Sequence, residues 1–232
     1  EGIKVKKVII YYPFPLREPK SGSTVRPIKM LQAFKELAQE KKIKIIDIVG
    51  ESSERNNKIK QLCKNVDPKD ILFCYIENST LPIWLTDKDH LPRRPLLEFK
   101  LFSYLSRNNI PIGLFYRDIY WRFKNEYPLK GLKRLIMKCI YRMELYFYKS
   151  YVTHFFLPSI EMNKYTKFKD DKVYALPPGS EIRIRNIIEP SNKKGLLTII
   201  YVGGISEKYG LDILLKAVAL LNSPIIRVRL IL

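Results

Sequence analysis

The sequence predicts an α/β protein built around a parallel β-sheet, followed by the beginning of a second domain of the same kind. Apolar strand segments recur roughly every 30 residues with helical segments between them, which is the alternation of an α/β fold. The strand segments are apolar almost throughout, as is typical of parallel strands covered by helices on both faces. The run at 196–202 (LLTIIYV) then repeats the plan of the first strand at 7–12 (KVIIYY).

Each strand is predicted from a short run rich in β-branched, aromatic and other apolar residues. The predicted strands are 7–12, 43–49, 70–76, 110–116, 151–157 and 173–176. The predicted helices between them are 26–40, 53–66, 95–108, 129–150 and 159–167. Serine residues are suited to cap two of these helices, Ser52 or Ser53 for the second and Ser159 for the last.

The domain organisation follows from where this alternation stops. We expect a first domain over 1–179, a charged linker over 180–195 and the start of a second domain over 196–232. The second domain holds only a strand, a helix and another strand, so we expect it to be incomplete. In sheets of this kind ligands bind beyond the carboxyl ends of the strands, so functional residues are sought in the loops that follow them.

The composition is strongly basic, with 42 Lys and Arg against 23 Asp and Glu and a net charge of +19. A lysine-rich proteome is one explanation, and an anionic partner such as lipid headgroups, an acidic glycan or nucleic acid is the other. The three cysteines and two histidines lack the spacing of a metal site, and the loop before the first helix is not a G-x-G-x-x-G fingerprint, so we expect neither a structural zinc ion nor a dinucleotide cofactor. No apolar run reaches the roughly 18 residues that span a bilayer.

Two polar segments follow predicted strands and are suited to bind a ligand rich in hydroxyl groups. Ser21, Gly22 and Ser23 open the first helix, where backbone N–H groups favour an anion or a sugar hydroxyl. Glu77 and Asn78 end the third strand, and a long loop follows them. A loop that only caps the helix and an ordinary turn are the structural alternatives.

The densest group of functional residue types is the segment 115–123 (FYRDIYWRF), after the fourth strand. Arg117 and Asp118 are candidate catalytic residues, because a carboxylate there can orient or deprotonate a hydroxyl group. The rings of Tyr120 and Trp121 are candidates for stacking on a sugar. The alternative is that Asp118 pairs with Arg117 or caps a turn, while Trp121 only packs.

The predicted helix 129–150 has two faces of different character. Five apolar residues at helical spacing are predicted to face the core: Leu132, Ile136, Ile140, Met143 and Phe147. A basic row repeats every fourth residue along another face: Lys130, Arg134, Lys138 and Arg142. Basic residues beside apolar ones suit an anionic membrane interface, and an ordinary solvated face is an equal alternative.

The second domain contains a weaker signal for phosphate binding. Gly203 and Gly204 follow its first strand, and Lys208 precedes the next helix. Glycine lets a phosphate approach the backbone, and the N-terminus of a helix supplies N–H donors. A tight turn between strand and helix is the structural alternative.

The order of these segments resembles the family 4 glycosyltransferases of the GT-B fold, especially those that make bacterial surface polysaccharides. The likeness covers nearly the whole chain and includes the glycine-containing loop after the first strand and the Arg117-Asp118 pair. It continues in three further segments, 176–181 (LPPGSE), 201–204 (YVGG) and 209–212 (YGLD). The family usually has His before the aspartate, and it has Arg and Lys where this chain has Gly204 and Tyr209.

The resemblance implies two Rossmann-like domains that transfer a sugar from a nucleotide-sugar donor to a glycan or lipid-linked acceptor, without a metal and with retention favoured. The first domain would hold the acceptor, near Gly22 and Asp118. The second would bind the donor phosphates near Gly203, Gly204 and Lys208. Members often act at the inner face of the cytoplasmic membrane, so a cytoplasmic or peripheral location is expected. The family's donor-sugar glutamates would lie beyond residue 232, so this fragment alone is expected to be inactive.

Two other functions are compatible with the composition. The first is a non-catalytic basic module that binds an acidic glycan or an anionic membrane surface. The second is nucleic-acid binding, which the charge and the aromatic residues permit. The basic residues follow no known nucleic-acid motif and the sheet pattern offers no exposed aromatic platform, so no nucleic-acid partner is expected.

Overall fold

The computed structural model describes residues 5–19, 22–179, 196–201, 209–221 and 227–231. By its internal contacts the chain divides into two compact units, Glu1–Gly179 and Ser180–Leu232. The predicted linker, 180–195, lies outside the described residues.

The first unit alternates strands and helices as the sequence predicts. Its strands are β1 (Lys7–Tyr12), β2 (Lys44–Val49), β3 (Ile71–Glu77), β4 (Ile112–Phe115), β5 (His154–Leu157) and β6 (Val173–Ala175). Its helices are α1 (Gly22–Glu40), α2 (Ser52–Asn65), α3 (Leu97–Arg107), α4 (Gly131–Tyr151) and α5 (Asn163–Thr166). Helix α1 begins four residues before its predicted start, and the predicted helix at 159–167 is a 3-10 turn, Ile160–Met162, followed by the short α5.

The six strands form one parallel sheet in the order β2-β1-β3-β4-β5-β6. This confirms the predicted α/β class with a Rossmann-like parallel sheet. Strand β1 lies between β2 and β3, so Tyr11 pairs with Ile48 on one side and with Ile76 on the other. The winding of the chain therefore reverses between β1 and β3. At such a switch point the loops diverge, and a crevice opens beyond the carboxyl ends of the two strands.

Strand β1 is the centre of the core. Its residues from Val8 to Tyr12 are all buried, and successive side chains point to opposite faces of the sheet. Tyr11 belongs to a large apolar cluster that includes side chains of α2, α3 and α4. Tyr12 belongs to a smaller cluster that includes side chains of α1. Side chains on the two faces of β1 therefore pack into two separate apolar clusters.

Helix α4 packs with a different face from the one that its sequence predicts. Three residues of the predicted core stripe are exposed: Leu132 (71%), Ile136 (50%) and Met143 (62%). The buried residues are Tyr141, Glu144, Leu145 and Tyr148. The predicted stripe is therefore wrong for these three positions.

Hydrogen bonds to the loop after β3 explain this orientation of α4. The Tyr141 hydroxyl donates to the carbonyl oxygen of Thr80 at 2.7 Å. The Glu144 carboxyl accepts the backbone N–H of Ile83, also at 2.7 Å. Because a buried backbone group without a partner costs free energy, these polar side chains face inward and the apolar stripe faces outward.

The second unit shows the predicted strand-helix-strand arrangement. Its elements are β7 (Leu196–Ile200), α6 (Leu211–Leu221) and β8 (Arg227–Ile231). Strands β7 and β8 pair in parallel, with Thr198 opposite Arg229. A parallel pair requires a crossover connection, and α6 lies in that connection.

Candidate functional site

A cavity of about 190 Å³ lies at the switch point between β1 and β3. Its wall is formed by the loop after β1, the first turns of α1 and the loop after β3. The polar part of this wall includes Arg17, Ser23, Ser79, Thr80 and Arg117. The cavity therefore lies where the strand order places a ligand, and it is lined by hydroxyl groups and arginines.

A buried charged group lies behind the cavity wall at the carboxyl ends of β1, β3 and β4. We call it the cavity cluster, and it consists of Tyr12, Arg26, Glu77 and Arg117. Arg26 Nε lies 3.5 Å from Glu77 Oε1, and Arg117 Nη2 lies 3.8 Å from Glu77 Oε2. The Tyr75 hydroxyl donates to Glu77 Oε1 at 3.0 Å. A single carboxylate thus holds two guanidinium groups.

Several polar atoms of the cavity cluster have no hydrogen-bond partner. Among the described residues, the buried side-chain atoms without one include Tyr12 Oη, Glu77 Oε2, and Nε and Nη2 of both Arg26 and Arg117. Burial raises the pKa of the Glu77 carboxyl, against the opposing effect of Arg26. Burial also lowers the pKa of the Arg117 guanidinium. Burial is the largest cause of both shifts.

Asn78 positions the segment that carries the two candidate catalytic residues. Its Oδ1 accepts the backbone N–H of Arg117 at 2.7 Å, and its own N–H donates to the carbonyl of Phe115 at 3.1 Å. Burial raises the pKa of the Asp118 carboxyl to about 6, although the backbone N–H of Tyr120 and the charge of Arg117 oppose the shift. Asp118 is therefore a carboxyl group that changes charge close to neutral pH.

The two aromatic residues predicted to stack on a sugar have different surroundings. The Trp121 indole is only 2% exposed and stacks on the Tyr141 ring, with centroids 4.9 Å apart and planes 2° apart. Its faces are covered by protein, which favours packing over stacking on a sugar. Tyr120 is half-buried, and its hydroxyl lies 3.2 Å from that of Tyr141. The Tyr120 hydroxyl also donates to the carbonyl oxygen of Thr80 at 3.4 Å, so this ring contacts the loop after β3.

The structure brings together only some of the residues predicted for acceptor binding. Ser23 lines the cavity, and Gly22 is the first residue of α1 beside it. The Glu77 side chain is fully buried, so its part in the site is to hold the arginines. Ser21 lies outside the described residues, as do Gly203, Gly204 and Lys208, which are predicted to bind the donor phosphates.

The basic row is divided between two surface grooves on α4. Lys130, Arg134 and Lys138 line one groove. Arg142 lines the other, between α3 and α4, with Phe99 and other apolar and aromatic side chains. The row therefore borders apolar surface as well as solvent.

The sequence interpretation missed Arg26 and Tyr12 as members of the site. Arg26 is the first residue of the predicted helix 26–40, and its position there contains a signal for its role in the site. Side chains in a helix point back towards its N-terminus, so an arginine one turn inside α1 reaches the ends of the strands. Tyr12 could have been assigned to the face of β1 opposite Tyr11 from strand alternation alone.

Other kinds of site find no support in the part of the chain that the structure describes. No group of three or more His, Cys, Asp or Glu residues there is placed to hold a metal ion. None of the described helices is both long and apolar enough to cross a membrane. Comparison with known proteins finds no match among protein-family models and none among curated proteins.

Proposed function

We propose that this protein is a GT-B glycosyltransferase related to family 4, which moves a sugar from a nucleotide-sugar donor to a glycan or lipid-linked acceptor in cell-surface polysaccharide synthesis. The observation that carries the proposal is the cavity at the β1/β3 switch point, with Arg117 in its wall. Asp118 follows Arg117 in the chain but is not one of the residues that line the cavity. Hydroxyl and guanidinium groups in that wall suit a ligand rich in hydroxyl groups. The donor site is assigned to Gly203, Gly204 and Lys208 from the family resemblance.

Asp118 is the residue proposed to act on the acceptor hydroxyl. A general base works best when its pKa lies near the working pH, and the pKa of about 6 brings Asp118 closer to that condition than an ordinary aspartate. Above pH 6 the carboxylate is ionised and can orient the hydroxyl or accept its proton. Below pH 6 the carboxyl is protonated and loses that capacity.

The first test is the turnover of the Asp118→Asn variant of the complete gene product with a panel of nucleotide sugars. We expect kcat to fall by about 10²-fold or more, because a positioned general base contributes about 10²–10⁴-fold. The matched control is Asp171→Asn, since Asp171 is an exposed carboxylate in a turn before β6. Wild-type turnover should also decline as the pH is lowered through about 6. Unchanged turnover in Asp118→Asn would exclude Asp118 from the reaction, and no transfer with any donor would contradict the function.

A second function, attachment to an anionic membrane surface, is favoured by the outer face of α4. Five large apolar or aromatic side chains on this helix are exposed: Leu132, Leu135, Ile136, Met143 and Tyr146. The only acidic residue of the helix, Glu144, is fully buried, so every charge on the outer face is positive. Exposed apolar side chains among basic ones are the pattern of helices that lie in the membrane interface. This surface would hold a transferase close to a lipid-linked acceptor.

Sedimentation with anionic liposomes tests the membrane proposal. Reversing the charge of Lys130, Arg134, Lys138 and Arg142 should weaken binding by about 10²-fold or more at low salt, since each basic residue near an anionic surface contributes about 1 kcal/mol. A matched control reverses four exposed lysines elsewhere on the unit: Lys35, Lys60, Lys64 and Lys69.

A second variant separates insertion of the apolar side chains from charge attraction. Replacing Leu132, Leu135 and Ile136 with serine leaves every charge in place and should weaken binding that persists at high salt. If charge reversal of the basic row and charge reversal of the four control lysines weaken liposome binding equally, binding depends on the net charge of the protein. The α4 surface then has no special role.

A further inference from the structure

We propose that the cavity at the switch point binds an acidic group of the acceptor, a carboxylate or a phosphate, through Arg117 and Arg17. The inference rests on the proposed function, because it takes this cavity as the acceptor site, and it adds the chemical class of the acceptor. Arg117 links the cavity to the buried cluster, since it lines the wall and also lies against Glu77.

The charges at this site do not balance. Arg26 and Arg117 share the carboxylate of Glu77, and Arg17 adds a third guanidinium in the cavity wall. Asp118 acts on Arg117 as a second carboxylate. Three guanidinium groups against two carboxylates leave one net positive charge, and the N-terminus of α1 adds a partial positive charge beside it.

The hydrogen bonds are unbalanced in the same direction. Nε and Nη2 of Arg26 and of Arg117 have no hydrogen-bond acceptor in the described part of the chain, although Arg26 Nε and Arg117 Nη2 lie 3.5 and 3.8 Å from the Glu77 carboxylate. One of the two Glu77 oxygens, Oε2, likewise has no donor there, so four donor nitrogens face one free acceptor oxygen. Buried donors of a charged group that lack acceptors cost free energy. Oxygen atoms of an acidic ligand in the cavity would supply acceptors to Arg117, which lines its wall.

An acidic ligand meets these requirements better than a neutral sugar does. Guanidinium groups bind carboxylates and phosphates through paired, charge-assisted hydrogen bonds, which are stronger than those to neutral oxygens. A neutral sugar would leave the excess positive charge without a counterion. The hydroxyl groups of Ser79 and Thr80, in the same wall, would then bind neutral parts of the acceptor.

Calorimetric titration of the chain with glucuronate, inorganic phosphate and glucose tests this inference. We expect at least one of the two anions to bind and glucose to bind about tenfold more weakly or not at all, since a charged hydrogen bond contributes about 1.5–3 kcal/mol and 1.4 kcal/mol is tenfold. Preference for glucuronate would indicate an acidic sugar, and preference for phosphate a phosphorylated acceptor. The Arg117→Gln variant should lose about tenfold or more in anion affinity on the same grounds.

Two further variants keep the result interpretable. Arg107→Gln removes an exposed arginine at the end of α3 and should bind the anion as the wild type does. Arg17→Gln alters an exposed position in the loop after β1, so it reports on the cavity even if Arg117→Gln fails to fold. Equal binding of glucose and glucuronate, no anion binding by the wild type, or wild-type affinity in both cavity variants would each overturn the inference.

The failure of this inference and the failure of the proposed function give different results. Sugar transfer to a neutral acceptor without anion binding would overturn the inference alone. Anion binding that depends on Arg117, in a complete protein that transfers no sugar, would contradict the transferase and support an acidic-ligand site in a binding protein.

Discussion

Two clusters of the same residue types lie on opposite faces of β1, and they differ in how completely their charges are paired. On one face, Tyr11, Arg55 and Glu98 form what we call the paired cluster, in which one guanidinium faces one carboxylate. The Tyr11 hydroxyl donates to Glu98 Oε1 at 2.8 Å, and Arg55 Nε donates to the carbonyl of Gly50 at 3.0 Å. On the other face, the cavity cluster has two arginines for one carboxylate.

This difference is the basis on which we propose a binding role for the cavity cluster and a structural role for the paired cluster. Among the described residues, six side-chain atoms of the cavity cluster lack a hydrogen-bond partner, whereas no atom of the paired cluster does. Both clusters are largely buried, so burial alone does not explain the contrast. Unpaired charged donors beside a cavity cost stability, and a ligand that pairs with them would offset this cost.

The largest effect on stability is expected from the paired cluster. Arg55→Met leaves the Glu98 carboxylate buried without its cation, which typically costs about 3–5 kcal/mol. Urea unfolding of the chain measures this loss. Lys60→Met is the matched control, because Lys60 is exposed on the same helix and its replacement should change stability by less than about 0.5 kcal/mol. A loss below that of a typical surface change would show that the paired cluster does not stabilise the fold.

A smaller loss is expected when the carboxylate of the cavity cluster is neutralised. Glu77→Gln keeps an acceptor for Tyr75 but removes the carboxylate that faces both Arg26 and Arg117, so about 1–3 kcal/mol should be lost. Urea unfolding at neutral pH gives the value. If Glu77→Gln lowers the free energy of unfolding as much as Arg55→Met does, the two clusters stabilise the fold equally and the proposed contrast between them is wrong.

A third buried carboxyl, that of Glu144, has no arginine partner among the described residues, and its protonation makes the stability of the fold depend on pH. Burial raises the pKa of Glu144 to about 8, with smaller effects of Asp118 and Glu98 in the same direction. The folded state therefore binds this proton more tightly than the unfolded chain does. The stability that the protonated carboxyl contributes is fully present below about pH 4.5 and is lost as the pH rises to about 8.

Glu144→Gln should remove this pH dependence, because glutamine keeps the oxygen that accepts the Ile83 N–H and does not titrate. We expect the stability of the variant relative to the wild type to rise by at least about 1 kcal/mol between pH 5 and pH 8, since one pKa unit corresponds to about 1.4 kcal/mol. Denaturant unfolding of both proteins across this range measures the difference. Parallel pH curves would mean that Glu144 titrates normally.

The smallest effect on stability is expected from Arg117→Gln. Glu77 keeps Arg26 as its cation, and a poorly paired guanidinium is removed from a buried position. The loss should therefore be under about 1 kcal/mol, below that of Glu77→Gln. Unfolding and anion titration of the same preparation compare stability with binding. A loss of several kcal/mol would identify Arg117 as a structural residue.

Part of the candidate site could be predicted from the sequence. Arg117 and Ser23 were placed near a ligand because they follow strand ends, and parallel strands of one sheet end at the same edge. The joint role of Arg26 and Glu77 was not predicted, because they lie 51 positions apart and meet only when α1 packs against the sheet. The packing of Trp121 against Tyr141 has the same origin, since its partner comes from α4.

The class of the fold and the order of its elements are encoded locally. Runs of β-branched and aromatic residues form strands wherever they occur, and helices between them impose parallel pairing, so the six-stranded sheet follows from the order of segments. The buried face of α4 is not encoded in this way. Its apolar pattern predicts that Leu132 and Ile136 are buried. In the structure Tyr141 and Glu144 are buried instead, and they form hydrogen bonds with the backbone groups of Thr80 and Ile83. Hydrogen-bonding partners that are distant in sequence, which only the folded chain brings together, therefore decide which side of the helix is buried.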